Sequence, residues 1–70
     1  MTKQRQLILN IVNRSCGHPT AEDIFLAARE AMPGIAFATV YNNLNALTQL
    51  KLIRRVLMHG GPDCYDRVAV

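Results

Sequence analysis

The sequence predicts an α+β fold, a winged helix-turn-helix in which three helices precede a two-stranded β-wing. Apolar residues recur at helical spacing as far as residue 50, and short runs rich in branched residues follow. A short Pro-Gly connection joins the second and third helical segments, which is typical of a helix-turn-helix. A two-stranded hairpin is only marginally stable alone, so we expect it to pack on the helices.

Length and composition indicate one small domain, residues 1–70. Half of the residues are hydrophobic, which suits a packed globule. No apolar run approaches the roughly 20 residues of a membrane span, and the N-terminus lacks the features of a signal peptide, so we expect a cytoplasmic protein without a membrane partner. A net charge of +3 is compatible with a polyanionic partner but does not identify one.

The first two helices are predicted from periodicity and capping. Residues 3–13 place Ile8 and Ile11 on one apolar face, opposite a polar face. Thr20 is a favourable N-cap, and Asp23 three residues later completes a capping-box pattern. We therefore expect the second helix to start directly after Thr20 and to end at the Pro-Gly pair.

The third helix is predicted for residues 37–50, and its two faces differ. Val40, Leu44 and Leu47 form an apolar stripe, whereas the opposite face carries amides and small side chains without any charge. Charges add sequence-independent attraction to DNA, while amides and small side chains can read base edges in a major groove. We interpret this segment as a recognition helix. The alternative is a helix that packs against another protein through its Asn and Tyr side chains.

The wing is predicted from residues 52–58 and 64–70, which flank the turn cluster at 60–63. Because the sequence stops inside an apparent strand, we interpret it as a segment of a longer protein. Cys16 and Cys64 have no CxxC partner and form no zinc site by themselves. A disulfide between them stays open, although free thiols are the expectation for a reducing compartment.

Several strings spread over nearly the whole chain resemble the N-terminal domain of the ferric uptake regulator (Fur) superfamily. They are Thr2-Lys3-Gln4-Arg5, Ile8-Leu9, His18-Pro19-Thr20-Ala21-Glu22-Asp23-Ile24, Ala38-Thr39-Val40-Tyr41-Asn42-Asn43-Leu44, Leu52-Ile53 and Tyr65-Asp66. The Asn42-Asn43 pair resembles the peroxide-stress (PerR) branch more than the iron-uptake branch. Haem-responsive iron regulators share similar strings and are an alternative within the superfamily.

The resemblance implies the DNA-binding domain of a bacterial metal-dependent repressor that binds AT-rich inverted repeats as a homodimer. In the family, a second domain supplies dimerisation, a structural zinc site and most ligands of the regulatory metal. This sequence contains none of these features, so Fe(II) or Mn(II) is expected in the full-length protein and little or no metal on residues 1–70. No small-molecule substrate is implied.

Four residues of the third helix are candidate DNA contacts. Tyr41 resembles the family tyrosine that reaches a base, and its alternative is packing at the junction with the wing. The Asn42 amide can pair with adenine N6 and N7, which contributes about 1–3 kcal/mol of discrimination. Asn43 is either a further DNA contact or a bridge between neighbouring groups. Thr39 either contacts a phosphate or caps the helix.

The remaining DNA candidates are basic residues expected to contact phosphates. They are Lys3, Arg5, Lys51, Arg54, Arg55 and Arg67. Most surface basic residues are merely solvated, so only some of these should matter. Arg54 and Arg55 are neighbours on a strand and point in opposite directions, so we expect at most one of them to touch DNA. Arg5 is favoured over Lys3 at the N-terminus.

His18 and Asp66 are the candidate metal ligands, and the resemblance alone supports this role. They fall where the family has a regulatory-metal histidine and an acidic ligand of the peroxide-sensing branch. A nitrogen and oxygen ligand set suits Fe(II) or Mn(II). Without the resemblance, they would be a solvent-exposed histidine and a charge that protects an edge strand.

Two departures from the family concern the ends of the third helix. Ala36 stands where the family often has a capping Ser, so we expect Thr39 to cap the helix or its start to fray. Lys51 stands where the family usually has Gly after the helix, and a left-handed conformation there would cost about 1 kcal/mol.

Two other functional classes compete with DNA binding. A winged helix used only for protein contacts would need an apolar patch around Asn42 and Gln49, and the sequence supplies none. An enzyme is disfavoured because there is no nucleophile–base pair, phosphate-binding loop or carboxylate pair at useful spacing.

Overall fold

A computed structural model describes residues 1–68 and confirms the winged helix-turn-helix. The elements, in chain order, are α1 (Lys3–Arg14), α2 (Ala21–Ala31), α3 (Phe37–Gln49), β1 (Ile53–Val56) and β2 (Cys64–Arg67). The helices begin where the periodicity predicts and end within one residue of the prediction for α1 and α3. The strands are shorter than predicted, and the part of the second strand that was predicted for residues 69 and 70 lies outside the described residues.

The three helices start in different ways. The Thr2 side chain caps α1 by accepting a hydrogen bond from the Arg5 backbone N–H at 3.1 Å. Thr20 and Asp23 form the predicted capping box at α2, in which each side chain accepts from the other residue's backbone N–H. At α3 the cap position is Ala36, which provides no side-chain hydrogen bond. The expectation that Thr39 caps α3 is wrong, because Thr39 already lies within the first turn of the helix.

The core lies between the three helices and one face of the wing. Its fully buried side chains come from every element: Ile8, Ile11, Val12, Ile24, Ala28, Val40, Leu44, Leu47, Ile53 and Tyr65. The apolar stripe predicted on α3 is therefore fully buried, and burying each Leu or Val contributes roughly 1.5–3 kcal/mol. Tyr65 joins the core with only 2% of its surface exposed, so the wing is anchored to the helices by an aromatic ring.

The wing has a neighbour that periodicity did not predict. The two strands pair antiparallel, with Arg54 opposite Asp66. On the other edge of β2, the Tyr65 backbone N–H donates to the Pro19 carbonyl at 2.8 Å, and Thr20 forms an isolated bridge with Cys64. These two backbone contacts hold the loop before α2 against the wing without adding a strand to the sheet.

The connection from α3 to β1 has a left-handed residue, as the comparison with the family suggested. Lys51 adopts a φ of 62° directly after the C-cap residue Leu50. A residue with a Cβ atom pays about 1 kcal/mol in this conformation relative to glycine. The tight turn at Lys51 brings β1 back alongside α3.

Candidate nucleic-acid interface and metal-ligand pair

The buried stripe of α3 determines which of its side chains face outward. Val40, Leu44 and Leu47 have no exposed surface, so the opposite side of the helix is presented to solvent. We call this side the reading face, formed by Ala38, Asn42 and Gln49, all of which are exposed. It carries no large apolar side chain and no charge.

The amides at positions 42 and 43 have different surroundings. Within residues 1–68, no group forms a hydrogen bond with the Asn42 amide, which is free to meet a ligand. The Asn43 amide is already occupied, because its Oδ1 accepts from Arg5 Nε at 3.0 Å and its Nδ2 donates to the Thr39 carbonyl at 2.8 Å. These contacts match the alternative in which Asn43 bridges neighbouring groups.

Tyr41 lies at the edge of the reading face that borders the wing. Its ring stacks on Phe37 with a centroid separation of 6.2 Å, and Phe37 in turn meets the edge of Phe25 at 5.5 Å. The Tyr41 side chain is still 41% exposed. Packing on one side therefore fixes the ring and leaves the phenol accessible from solvent.

The two arginines of β1 point in opposite directions, as predicted. Arg55 donates to Asn45 Oδ1 on α3, and its guanidinium lies 5.7 Å from the centre of the Tyr65 ring. Arg54 points away from α3 and donates to Asp66 Oδ2 at 3.2 Å. Only Arg55 is thus placed beside the candidate DNA-reading helix.

Burial and a neighbouring positive charge act in opposite directions on the pKa of Tyr65. Burial raises the pKa of Tyr65 above its ordinary value of 10.0, because a phenolate would lose its hydration there, and the nearby positive charge of Arg55 opposes part of that rise. Tyr65 therefore stays neutral at physiological pH and adds no negative charge beside Arg55.

The other basic candidates are arranged less closely around α3. Arg5 is half-buried against α3, whereas Lys3 and Lys51 are exposed. Arg67 donates to the Asn13 carbonyl at 3.4 Å, on the side of the domain that carries Arg54. Among the predicted phosphate contacts, Arg5 and Arg55 are the two that the structure attaches directly to the recognition helix.

The structure brings together the two candidate metal ligands. His18 Nδ1 lies 3.8 Å from Asp66 Oδ2, although the residues are far apart in sequence. The same oxygen atom also accepts from Arg54, so we call His18, Arg54 and Asp66 the ligand corner. Nitrogen and carboxylate ligands fit Fe(II) or Mn(II), but residues 1–68 contain no group of three or more candidate ligands. The ligand corner therefore combines two candidate ligands with one competing cation.

The two thiols are both free. Cys16 is exposed in the loop before α2, and Cys64 is buried at the start of β2. The disulfide that the sequence left open does not form between them. Among residues 1–68, no helix is long and apolar enough to span a bilayer.

Two features of the site were missed from the sequence. The amides of α3 were expected to face outward, but the Asn45 amide accepts a hydrogen bond from Arg55, a contact that depends on the position of β1. The pairing of Pro19 with Tyr65, which brings the loop of His18 to the wing, has no local sequence signal. Both contacts join distant parts of the chain and follow only from the tertiary arrangement.

Known proteins resemble this chain in sequence over nearly its whole length. The chain is 35% identical over 68 residues to the peroxide operon regulator of Bacillus subtilis, covering 97% of this chain and 47% of that protein. It is also 35% identical over 69 residues to a ferric uptake regulation protein of Brucella abortus, covering 99% of this chain and 49% of that protein. The chain thus spans about half the length of these relatives.

A solved structure shows the same architecture. The ferric uptake regulator of Helicobacter pylori, described as having three functional metal-binding sites, superposes with a TM-score of 0.90 at 25% identity, covering 96% of this chain and 46% of that chain. Equal identity to a peroxide regulator and an iron regulator assigns the chain to neither branch. Because the Ferric uptake regulator family matches residues 1–69, the chain belongs to that family as a winged-helix DNA-binding domain.

Proposed function

We propose that this domain reads AT-rich inverted repeats through α3 on behalf of a bacterial metal-dependent repressor. The observation that carries the proposal is the reading face, where an exposed, hydrogen-bond-free Asn42 lies on a helix without charges. An asparagine amide can donate to and accept from adenine N7 and N6 together, which gives it a preference for A·T pairs. Because α3 packs on the core through its apolar stripe, Asn42 on the opposite face can enter a major groove.

The other contacts divide into base and backbone contacts. Tyr41 offers an apolar ring edge suited to a thymine methyl group, and Thr39 lies in the first turn, where a phosphate meets the helix N-terminus. Arg5 and Arg55 supply positive charge on the two sides of the helix and would contact phosphates. Lys3 is a weaker contributor of the same kind, and Arg54 is directed to Asp66 instead.

For the full-length protein we propose a cytoplasmic homodimer that responds to iron or peroxide. The peroxide branch is favoured by Asn42-Asn43 and by Asp66 in the ligand corner. His18 and Asp66 would contribute two ligands to Fe(II) or Mn(II), and the remaining ligands and a structural Zn would belong to a second domain. A dimer suits an inverted repeat because its twofold axis matches that of the DNA.

Two substitutions test this division of roles. Asn42→Ala should reduce the preference for an AT-rich duplex over a GC-rich duplex by roughly 1–3 kcal/mol, because the lost contact is with a base. Arg5→Ala should weaken both duplexes alike and reduce the salt dependence of binding, because the lost contact is with a phosphate. Fluorescence anisotropy titrations at two salt concentrations measure both quantities.

The same titrations contain the result that would contradict the proposal. If Asn42→Ala and Arg5→Ala weakened binding to both duplexes equally, the assignment of Asn42 as the base-reading residue would be wrong. If the folded wild-type domain preferred neither duplex, α3 would not be a recognition helix of this kind.

A further inference from the structure

The amides of α3 are not equivalent, and two of them hold arginines from other elements. Asn43 binds Arg5 of α1, and Asn45 binds Arg55 of β1. Two positions separated by two residues are about 200° apart around a helix, so these contacts lie on the two flanks of α3. Asn42 lies between them, on the reading face.

The contact with Arg5 leaves most of its hydrogen-bonding capacity available. Asn43 accepts from Nε of Arg5, so the two terminal amino groups of the guanidinium have no partner among residues 1–68. Asn43 is itself fixed, because its Nδ2 bonds to the Thr39 carbonyl one turn earlier on α3. Arg5 is therefore held at one edge and open at the edge that binds phosphate in a bidentate manner.

On the other flank of α3, Arg55 is likewise held by side chains of the domain. One terminal amino group donates to Asn45, and the guanidinium plane is supported by the buried ring of Tyr65. Asn45 and Tyr65 restrict a long side chain that would otherwise be mobile on an exposed strand. Both arginines thus have side-chain partners before any ligand arrives.

We infer that Asn43 and Asn45 are positioning residues that hold Arg5 and Arg55 for the phosphates on either side of the groove that α3 enters. This inference rests on the proposed function and assigns these asparagines a role different from that of Asn42. An ordered arginine loses less conformational freedom when it binds a phosphate, so pre-organisation strengthens binding without reading sequence.

The test compares Asn43→Ala and Asn45→Ala with Asn42→Ala as the matched control. Asn43→Ala and Asn45→Ala should each weaken DNA binding about two- to twelve-fold, the factor expected for ordering one long side chain. The loss of affinity should be the same for AT-rich and GC-rich duplexes. The control should instead change the ratio between the duplexes. A changed ratio in Asn43→Ala or Asn45→Ala would overturn the inference for that residue, because it would then read a base.

A double-mutant cycle distinguishes holding an arginine from general damage. In an Arg5→Ala background, Asn43→Ala should have almost no further effect on affinity, since the side chain that it holds is gone. The same relation should hold for Asn45 and Arg55, and thermal unfolding followed by circular dichroism verifies that each variant is folded. Additive losses in folded proteins would overturn the inference.

The free protein gives a readout that does not depend on DNA. The NMR signal of the Arg5 Nε–H should show a hydrogen-bonded, restricted group in wild type and a mobile one in Asn43→Ala. A mobile Arg5 in wild type would overturn the inference while leaving the proposed function in place. A restricted Arg5 in a folded protein that binds neither duplex would refute the proposed function and, with it, the role at phosphates.

Discussion

The reading face and the ligand corner differ in how much of their function one domain can supply. The reading face is formed by one continuous helix that the core fixes in place, and its two arginines are already attached to it. The corner joins a loop residue, His18, to a strand residue, Asp66, and the Asp66 carboxylate is also paired with a competing cation, Arg54. The reading face is therefore fully assembled by residues of this domain, whereas the ligand corner brings together only two candidate ligands.

This difference follows from how the two regions are built. Side chains on a helix are ordered by local periodicity, so a buried stripe automatically presents the opposite face. The corner depends on the backbone pairing of Pro19 with Tyr65, a contact between distant parts of the chain. Substitutions can therefore affect one region and spare the other.

The largest effect is expected from Leu44→Ala, which removes the support of the reading face. Leu44 has no exposed surface, and truncation of such a residue typically costs 2–5 kcal/mol. Small domains rarely have more than about 3–5 kcal/mol of stability, so we expect loss of the cooperative thermal transition and of DNA binding. Leu52→Ala, at a 40% exposed position, is the control and should unfold near the wild-type temperature. An unchanged melting temperature for Leu44→Ala would contradict the described core.

A smaller effect is expected from Thr20→Ala, which loosens the ligand corner but leaves α3 intact. Loss of the capping box should reduce the free energy of unfolding by about 1 kcal/mol, and the DNA affinity of the folded protein should not change. Thr48→Ala is the matched control, because the Thr48 hydroxyl only bonds back to the Leu44 carbonyl within α3. Denaturant unfolding measures both variants, and equal destabilisation by the two substitutions would refute the capping-box assignment.

The smallest change in stability is expected from Arg54→Ala, which separates the two regions most clearly. The exposed pair with Asp66 contributes about 0.2–1 kcal/mol, so the fold should be nearly unaffected. Removal of this competing positive charge should strengthen Mn(II) binding, measured by the electron paramagnetic resonance signal of free Mn(II), without weakening DNA binding. Arg55→Ala should instead weaken DNA binding and leave Mn(II) binding unchanged. Weaker DNA binding in Arg54→Ala than in Arg55→Ala would exchange the roles of the two arginines.

The sequence predicted those features that are encoded locally. The stripe of Val40, Leu44 and Leu47 and the Thr20 capping box follow from residue types at fixed short spacings, and both are present. The left-handed Lys51 was suggested only by the family resemblance, because the family usually has Gly at that position. The start of α3 was predicted correctly at residue 37, but its capping was not, because Ala36 occupies the cap position without a capping bond and Thr39 lies inside the first turn.

Contacts of the site between residues far apart in the sequence could be identified only from the structure. Arg5 and Asn43 are 38 residues apart, so their bond cannot be derived from periodicity. The proximity of His18 and Asp66 was suggested only by the family resemblance, because neither residue has a local pattern that indicates a ligand. The structure adds Arg54 to that pair, which neither the spacing nor the resemblance indicated.

The most direct test of a reading face that works independently of the ligand corner is a titration of this 70-residue chain. Fluorescence anisotropy would compare an AT-rich inverted repeat with a GC-rich duplex at two salt concentrations, with and without Mn(II). We predict binding that favours the AT-rich duplex, weakens as salt rises and does not change with Mn(II). Equal affinity for the two duplexes, or binding that requires Mn(II), would contradict this account.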